Sequence, residues 1–194
     1  MQENQFFAML SRMKYINRWG LMRNVRSENI SEHSLDVAIF AHALGIIRNK
    51  RFGGNIDCNR LAVLAMYHDT TEIITGDMPT PVKYYNKSIK TAYKEVEAVA
   101  QNTLLSYLPE DIREEYQKVF DRKDDEEYLW SLVKAADRIS ALVKCIEERE
   151  MGNKDFQKAE ETIMLSINQI DLPEVRCFMK EFIPAFRLTL DEQV

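Results

Sequence analysis

Histidine is scarce in this 194-residue chain, with three in all, and one of them is followed directly by an aspartate in an apolar stretch. His68 and Asp69 are adjacent within the largely apolar stretch LAVLAMYHDTTEI, where a bare carboxylate is expensive to bury. A cation removes that cost, and so does a salt link within the helix; the pair alone leaves both readings open. Asp137, in SLVKAADRISALV, shares its helical face with Val133 and Ala141 and poses the same question. Either a metal or a buried ionic partner such as Arg138 or Lys134 would answer it. Glu72 follows His68 by four residues, which on a continuous helix sets it on the same face, close enough to take a proton from a water held there. His42 comes nine residues after His33, and nine steps of about 100° turn it to the opposite side of their helix. The two cannot share a site, and His42, between Ala41 and Ala43, reads as a packed, hydrogen-bonded histidine.

These residues need helices to position them. Phe6, Phe7, Leu10, Met13 and Ile16 recur at helical spacing, and a second pattern from Ser31 to about Ile47 carries Leu35, Ala38, Ile39, Leu44 and Ile47. Asn29 or Ser31 is its N-cap. A third helix is expected from Asp57 to near Gly76, carrying Leu61, Leu64, Ala65 and the His68–Asp69 pair. The DMPTP segment that follows is read as non-helical, a short stiff loop held by Pro79 and Pro81. Further helices are expected over about Ser88–Leu108, Glu110–Phe120, Asp124–Gly152, Asp155–Gln169 and Pro173–Leu188. Alternation with a period of two is absent, so the expected fold is all-α, one domain over residues 1–194 built as a bundle of seven or eight helices.

Composition closes off other classes. Hydrophobic residues make up 45% and charged residues 29%, enough for a core and too apolar for disorder, while 6 Gly and 5 Pro are too few for the turns of an all-β fold. A net charge of -5 argues against a general nucleic-acid binder, so an anionic ligand must be gripped locally. Cys58, Cys145 and Cys177 are widely spaced and odd in number, which indicates neither a disulfide framework nor a zinc knuckle and suits a reducing cytoplasm. The N-terminus lacks the pattern of a signal peptide, and no stretch reads as the roughly 18 to 20 apolar residues of a membrane span. Against the acidic background, Arg12, Lys14, Arg18, Arg23 and Arg26 form a basic island with no acid between them, which could attract a phosphate monoester or be an ordinary solvated face.

A histidine on one helix, a His–Asp pair on another and a distant aspartate on a third resemble the H…HD…D pattern of the HD-domain metal-dependent phosphohydrolases. The likeness extends to Arg18–Trp19, to ENISEHS around His33, to YHDTTEIITGDMPTPVKY from Tyr67 to Tyr84, and to the ending FIPAF. On these motifs the chain is similar to the bacterial 5′-deoxynucleotidases of the YfbR type. That resemblance implies an HD-domain fold, a homodimer, and His33, His68, Asp69 and Asp137 as metal ligands. It makes Arg18 the group that orients the phosphate and Trp19 the wall of the sugar, with Asp77, Met78, Pro79 and Thr80 contacting the nucleotide alongside the metal residues His33, Asp69 and Asp137.

Two imidazoles and two carboxylates form a mixed N/O set suited to one divalent transition metal (cobalt, manganese, zinc or copper), with positions left for water and a phosphate oxygen. With His42 facing away and no fourth histidine, a second metal is not expected. The expected reaction is hydrolysis of deoxyribonucleoside 5′-monophosphates with Glu72 assisting proton transfer, Asp77 accepting from the 3′-hydroxyl and Trp19 excluding a 2′-hydroxyl. Two rivals stand beside it: an HD phosphohydrolase acting on a deoxynucleoside triphosphate, a cyclic nucleotide or an alarmone, and a non-enzymatic binding module stabilised by its metal.

Overall fold

The computed structural model describes residues 4–83 and 85–193; the side chains of Thr80 and Asp124, and Tyr84 of the motif above, lie outside the described residues. The described chain is helical with no β-strand, only one isolated antiparallel bridge between Asn17 and Asn29. The helices are α1 (Phe6–Leu10), α2 (Ile30–Arg51), α3 (Cys58–Tyr67), α4 (Glu72–Thr75), α5 (Thr80–Lys83), α6 (Lys87–Ser106), α7 (Glu110–Phe120), α8 (Glu127–Glu150), α9 (Gln157–Asn168) and α10 (Pro173–Glu181). The all-α expectation holds.

The main core is built where α2 crosses α3, α8 and α10: Val37, Ala41 and Leu44 of α2 pack with Leu61 and Leu64 of α3 and Leu132, Ile139 and Ile146 of α8. Asn29 is the cap of α2, its side chain accepting from the amides of Ser31 and Glu32 at 3.0 and 3.1 Å, so Ser31 lies one residue inside. Gly45 lets α3 come close, since a Cβ there would stand 3.0 Å from the Cys58 Sγ. α2 is also long and apolar enough to pass for a membrane span, contrary to the sequence reading, but 56% of its most apolar window is buried inside the protein, as a core helix requires. A second cluster of Phe6, Leu104, Leu105 and Leu108 joins α1, α6 and α7, with Phe6 meeting the Tyr116 ring edge-on at 4.9 Å between centroids.

Several expectations change. Leu35 and Ile39 are exposed, because α2 is apolar on more faces than the core can cover, and the buried positions are Val37, Ala38, Phe40 and Ala41. His42 lies on that outer, exposed face and is not a packed histidine. The helix expected from Asp57 to Gly76 breaks after Tyr67. Amides of Thr70, Glu72 and Ile73 bond to carbonyls three residues back, winding a tight turn, and the β-branched Thr70, Thr71, Ile73 and Ile74 favour helix weakly. DMPTP is not wholly non-helical either: Pro81 is accepted in the first turn of α5, where its missing N–H costs nothing.

Candidate functional site

The break after α3 is what builds the site. It places His68 and Asp69 just past the C-terminal end of α3, against His33 in the first turn of α2 and Asp137 midway along α8. Ligand atoms of His33, His68 and Asp69 all lie within 4.8 Å of one another. His33 Nε2 is 3.4 Å from Asp69 Oδ2 and 3.2 Å from Asp137 Oδ1, and His68 Nε2 is 3.1 Å from the same Asp69 oxygen. Asp137 therefore faces the cluster, and neither Arg138 nor Lys134 is its partner: Arg138 reaches the Ser166 carbonyl, and Lys134 is exposed.

Each imidazole is held by its other nitrogen. His33 Nδ1 meets the Ser140 hydroxyl at 3.1 Å, and His68 Nδ1 donates to the Ala65 carbonyl at 2.7 Å. Both Nε2 atoms are buried without a hydrogen-bond partner. Two oriented, unsatisfied imidazole nitrogens facing two carboxylates fit a divalent cation. Exposure is graded, from none at the His33 side chain to 20% at Asp69 and 42% at Asp137, so the cluster opens on the Asp137 side.

Electrostatics bind the group together. Burial alone would lower the His68 pKa, but Asp69 and Asp137 override it and lift it to about 9. Burial would raise both acids; Asp69 is nonetheless held well below the usual carboxylate range by His68 and His33, and Asp137 is lowered by the same imidazoles.

Around this cluster stand the other expected residues. Glu72 is not one turn of a continuous helix from His68, yet it opens α4 beside the site, buried, with Oε2 unpartnered. Burial first, then Asp69 and Asp77, push its carboxyl up to about 9. The buried Arg18 guanidinium sets Nη1 3.6 Å from Asp69 Oδ2 and is kept charged, burial notwithstanding, by Asp137, Asp69, Glu28 and Asp77. Trp19 sits at φ 58°, a left-handed conformation unusual for a side chain of its size. Asp77 follows α4, its carboxyl raised by burial in spite of Arg18 nearby, and Met78 and Pro79 continue from it half-buried. Thr80's side chain is outside the described residues.

The basic island disperses. Arg23 pairs with Asp155 at 2.7 Å, Arg12 and Lys14 lie over the Tyr15 ring, Arg26 is exposed, and Arg18 alone joins the cluster. Sequence reasoning missed Glu28, which carries Arg18 and Trp19, and Ser140 behind His33. It also missed Tyr93 of α6, whose hydroxyl meets Thr75 Oγ1 at 3.1 Å where the chain enters the Asp77 segment. Glu28 had one visible signal, its place in ENISEHS directly before the α2 cap.

A profile of 5′-deoxynucleotidase YfbR-like proteins matches residues 5–186. The chain is 50% identical to a 5′-deoxynucleotidase of Vibrio vulnificus over 192 residues, covering 99% of each sequence. It is 48% identical to the 5′-deoxynucleotidase YfbR of Escherichia coli, over 99% of this chain and 96% of that protein. Among solved structures, an HD-domain phosphohydrolase from Listeria innocua superposes with a TM-score of 0.82 at 23% identity, covering 97% of this chain and 91% of that one. The cyanophage S-2L HD phosphohydrolase, solved with dA and one catalytic Zn2+ ion, superposes with a TM-score of 0.65 at 19% identity over 94% and 96%. Those two structures share the fold; the family is carried by the closer sequences and by the H…HD…D residues meeting in space. The chain belongs to the YfbR-like 5′-deoxynucleotidase family.

Proposed function

We propose that the chain, acting as one domain over residues 1–194, hydrolyses deoxyribonucleoside 5′-monophosphates to deoxynucleoside and phosphate. The observation that carries this reading is the pair of buried, unpartnered imidazole nitrogens facing Asp69 and Asp137, with the Arg18 guanidinium beside them. The naming of the relatives at 48 to 50% identity as 5′-deoxynucleotidases supports it. His33, His68, Asp69 and Asp137 hold one divalent transition ion (cobalt, manganese, zinc or copper), a reading supported by the single zinc of the cyanophage enzyme. When bound, such an ion lowers the pKa of water and draws charge from a phosphoryl oxygen.

The chain's own residues do the rest. Arg18 steers the phosphate so that water attacks phosphorus in line with the departing 5′ oxygen. Glu72 assists proton transfer, its raised carboxyl giving a proton to the departing 5′ oxygen and recovering one from the attacking water. Asp77 accepts from the 3′-hydroxyl, the Trp19 ring closes the space a 2′-hydroxyl would need, and Met78, Pro79 and Thr80 line the path of the nucleotide, with broad tolerance for the base. A homodimer in the cytoplasm is the expected setting, and the exposed Leu35, Ile39 and Ile46 along one side of α2 offer an apolar face for a second copy.

Phosphate release from dAMP, dGMP, dTMP, AMP and dATP by chelator-stripped protein, with and without manganese, cobalt or zinc, tests the reading. Metal-dependent release from the deoxymonophosphates alone is expected. Activity on dATP with silence on monophosphates would replace the substrate, and silence throughout would leave a binding module.

A further inference from the structure

We infer that Glu28 is a positioning residue, a single buried carboxylate that aims Arg18 and Trp19 together and so ties phosphate grip to sugar selection. The inference rests on the nucleotidase reading above. One oxygen, Glu28 Oε2, accepts from Trp19 Nε1 at 2.7 Å and from Arg18 Nε at 3.2 Å. Glu28 Oε1 stands 3.9 Å from His33 Nδ1, at the back of the His/Asp cluster. The backbone repeats the tie, since the Arg18 amide donates to the Glu28 carbonyl at 2.9 Å and the Ile30 amide to the Ile16 carbonyl at 3.0 Å. Residues 16–19 are thus laced to residues 28–30, which lead directly into the helix that bears His33.

Two consequences follow from the shared oxygen. By engaging Nε, Glu28 turns the terminal nitrogens of the Arg18 fork toward Asp69, where Nη1 lies at 3.6 Å. Trp19 holds a left-handed backbone that is unfavourable for a side chain of its size and persists only where its surroundings overdetermine it. Its surroundings are the Glu28 carboxylate, the Phe156 ring at 5.3 Å, and Asn24 donating to its carbonyl at 3.2 Å. Glu28 is only 8% exposed and the Arg18 side chain 12%, so the geometry is set in a medium where such bonds are stiff. Displacing one partner of Oε2 displaces the other.

The test compares wild type, Glu28→Ala, Glu28→Gln, Trp19→Phe and the Glu28→Gln/Trp19→Phe double variant of the full chain, reloaded with manganese, on dAMP and AMP. Glu28→Ala is expected to cut the dAMP-to-AMP ratio of kcat/KM by about tenfold, mainly through KM, and Glu28→Gln, which keeps an acceptor, to restore most of it. The double variant should lose no more selectivity than Trp19→Phe alone. The indole N–H resonance that disappears in Trp19→Phe should move upfield in Glu28→Gln. Equal losses on both substrates, or an unmoved indole resonance, would overturn the inference. Should Glu28→Ala not fold, the indole resonance of Glu28→Gln still decides the inference. If wild type releases phosphate from neither substrate, the nucleotidase reading fails, while the indole resonance still decides whether Glu28 holds Trp19.

Discussion

Helix α8 carries two buried ionic clusters about three turns apart, and they are satisfied in opposite ways. At Asp137, two imidazole nitrogens face carboxylates with no hydrogen donated or received. At Glu148, every lone-pair direction is used: the carboxylate accepts from the amides of Val25 and Arg26 at 2.9 and 3.0 Å, from Asn153 Nδ2 at 2.7 Å and from Lys144 Nζ, which also reaches the Arg26 carbonyl. A buried polar cluster that closes on itself clamps the chain, here fastening residues 25–26 to α8 just upstream of Glu28. One that leaves oriented imidazole nitrogens unpaired is incomplete without a ligand. Both clusters set charged groups into the bundle, but Glu148 is fully buried while Asp137 is 42% exposed; hydrogen-bond closure and that opening separate structure from site.

The sharpest way to break that comparison is to remove a residue from the open cluster. Asp137→Ala is expected to lose bound metal, measured by elemental analysis, and to slow phosphate release roughly a thousandfold or more, since a catalytic ion supplies several kcal/mol of charge stabilisation. Its denaturation midpoint without metal should fall far less than that of Glu148→Ala, because the Asp137 side chain is 42% exposed and its attraction to the imidazoles is screened by solvent; a large drop would make the cluster a clamp after all. Glu72→Ala should lose about a hundredfold or more in turnover with metal content near wild type. Loss of metal in that variant would move Glu72 into the ligand shell.

The closed cluster should answer in the other currency. Glu148→Ala is expected to destabilise the fold by roughly 3 kcal/mol in urea unfolding, leaving Lys144 buried and unpaired, while turnover per folded molecule is kept. Burial would raise the Glu148 carboxyl, but Lys144, Asn153 and the two amides hold it at about 2. A depressed carboxyl contributes stability above pH 4.5 that is lost as pH falls toward 2, so wild type should lose its advantage over Glu148→Ala in that window. The smallest effect belongs to Ser140→Ala, which frees the His33 ring: metal affinity, read by chelator competition, should fall between 10- and 100-fold without a shift in global stability.

Local physics made some of the fold legible. The helix Glu110–Phe120 lies where its pattern and the preceding Pro109 put it, and Asn29 caps α2 because an asparagine before a periodic run does so wherever it occurs. Residue types announced the chemistry too, since a His–Asp pair in apolar surroundings asks for compensation in any fold. What local pattern could not supply was the break at His68–Thr71, where competing turn hydrogen bonds and β-branched residues outweigh a continuous apolar stripe. Nor could it separate Leu35 and Ile39 from the core, because α2 is apolar on more faces than its neighbours cover.

The sequence by itself determined the all-α class and the helices long enough to carry their own periodicity, since each is a property of a short segment, and it offered the candidate metal residues through the likeness of their motifs. Only the tertiary structure decided which of five clustered cations becomes the buried arginine of the site, that Asp137 meets His33 across the bundle, and that Glu28 serves Arg18 and Trp19 at once. Those facts depend on where distant segments pack, and packing is settled by the whole core.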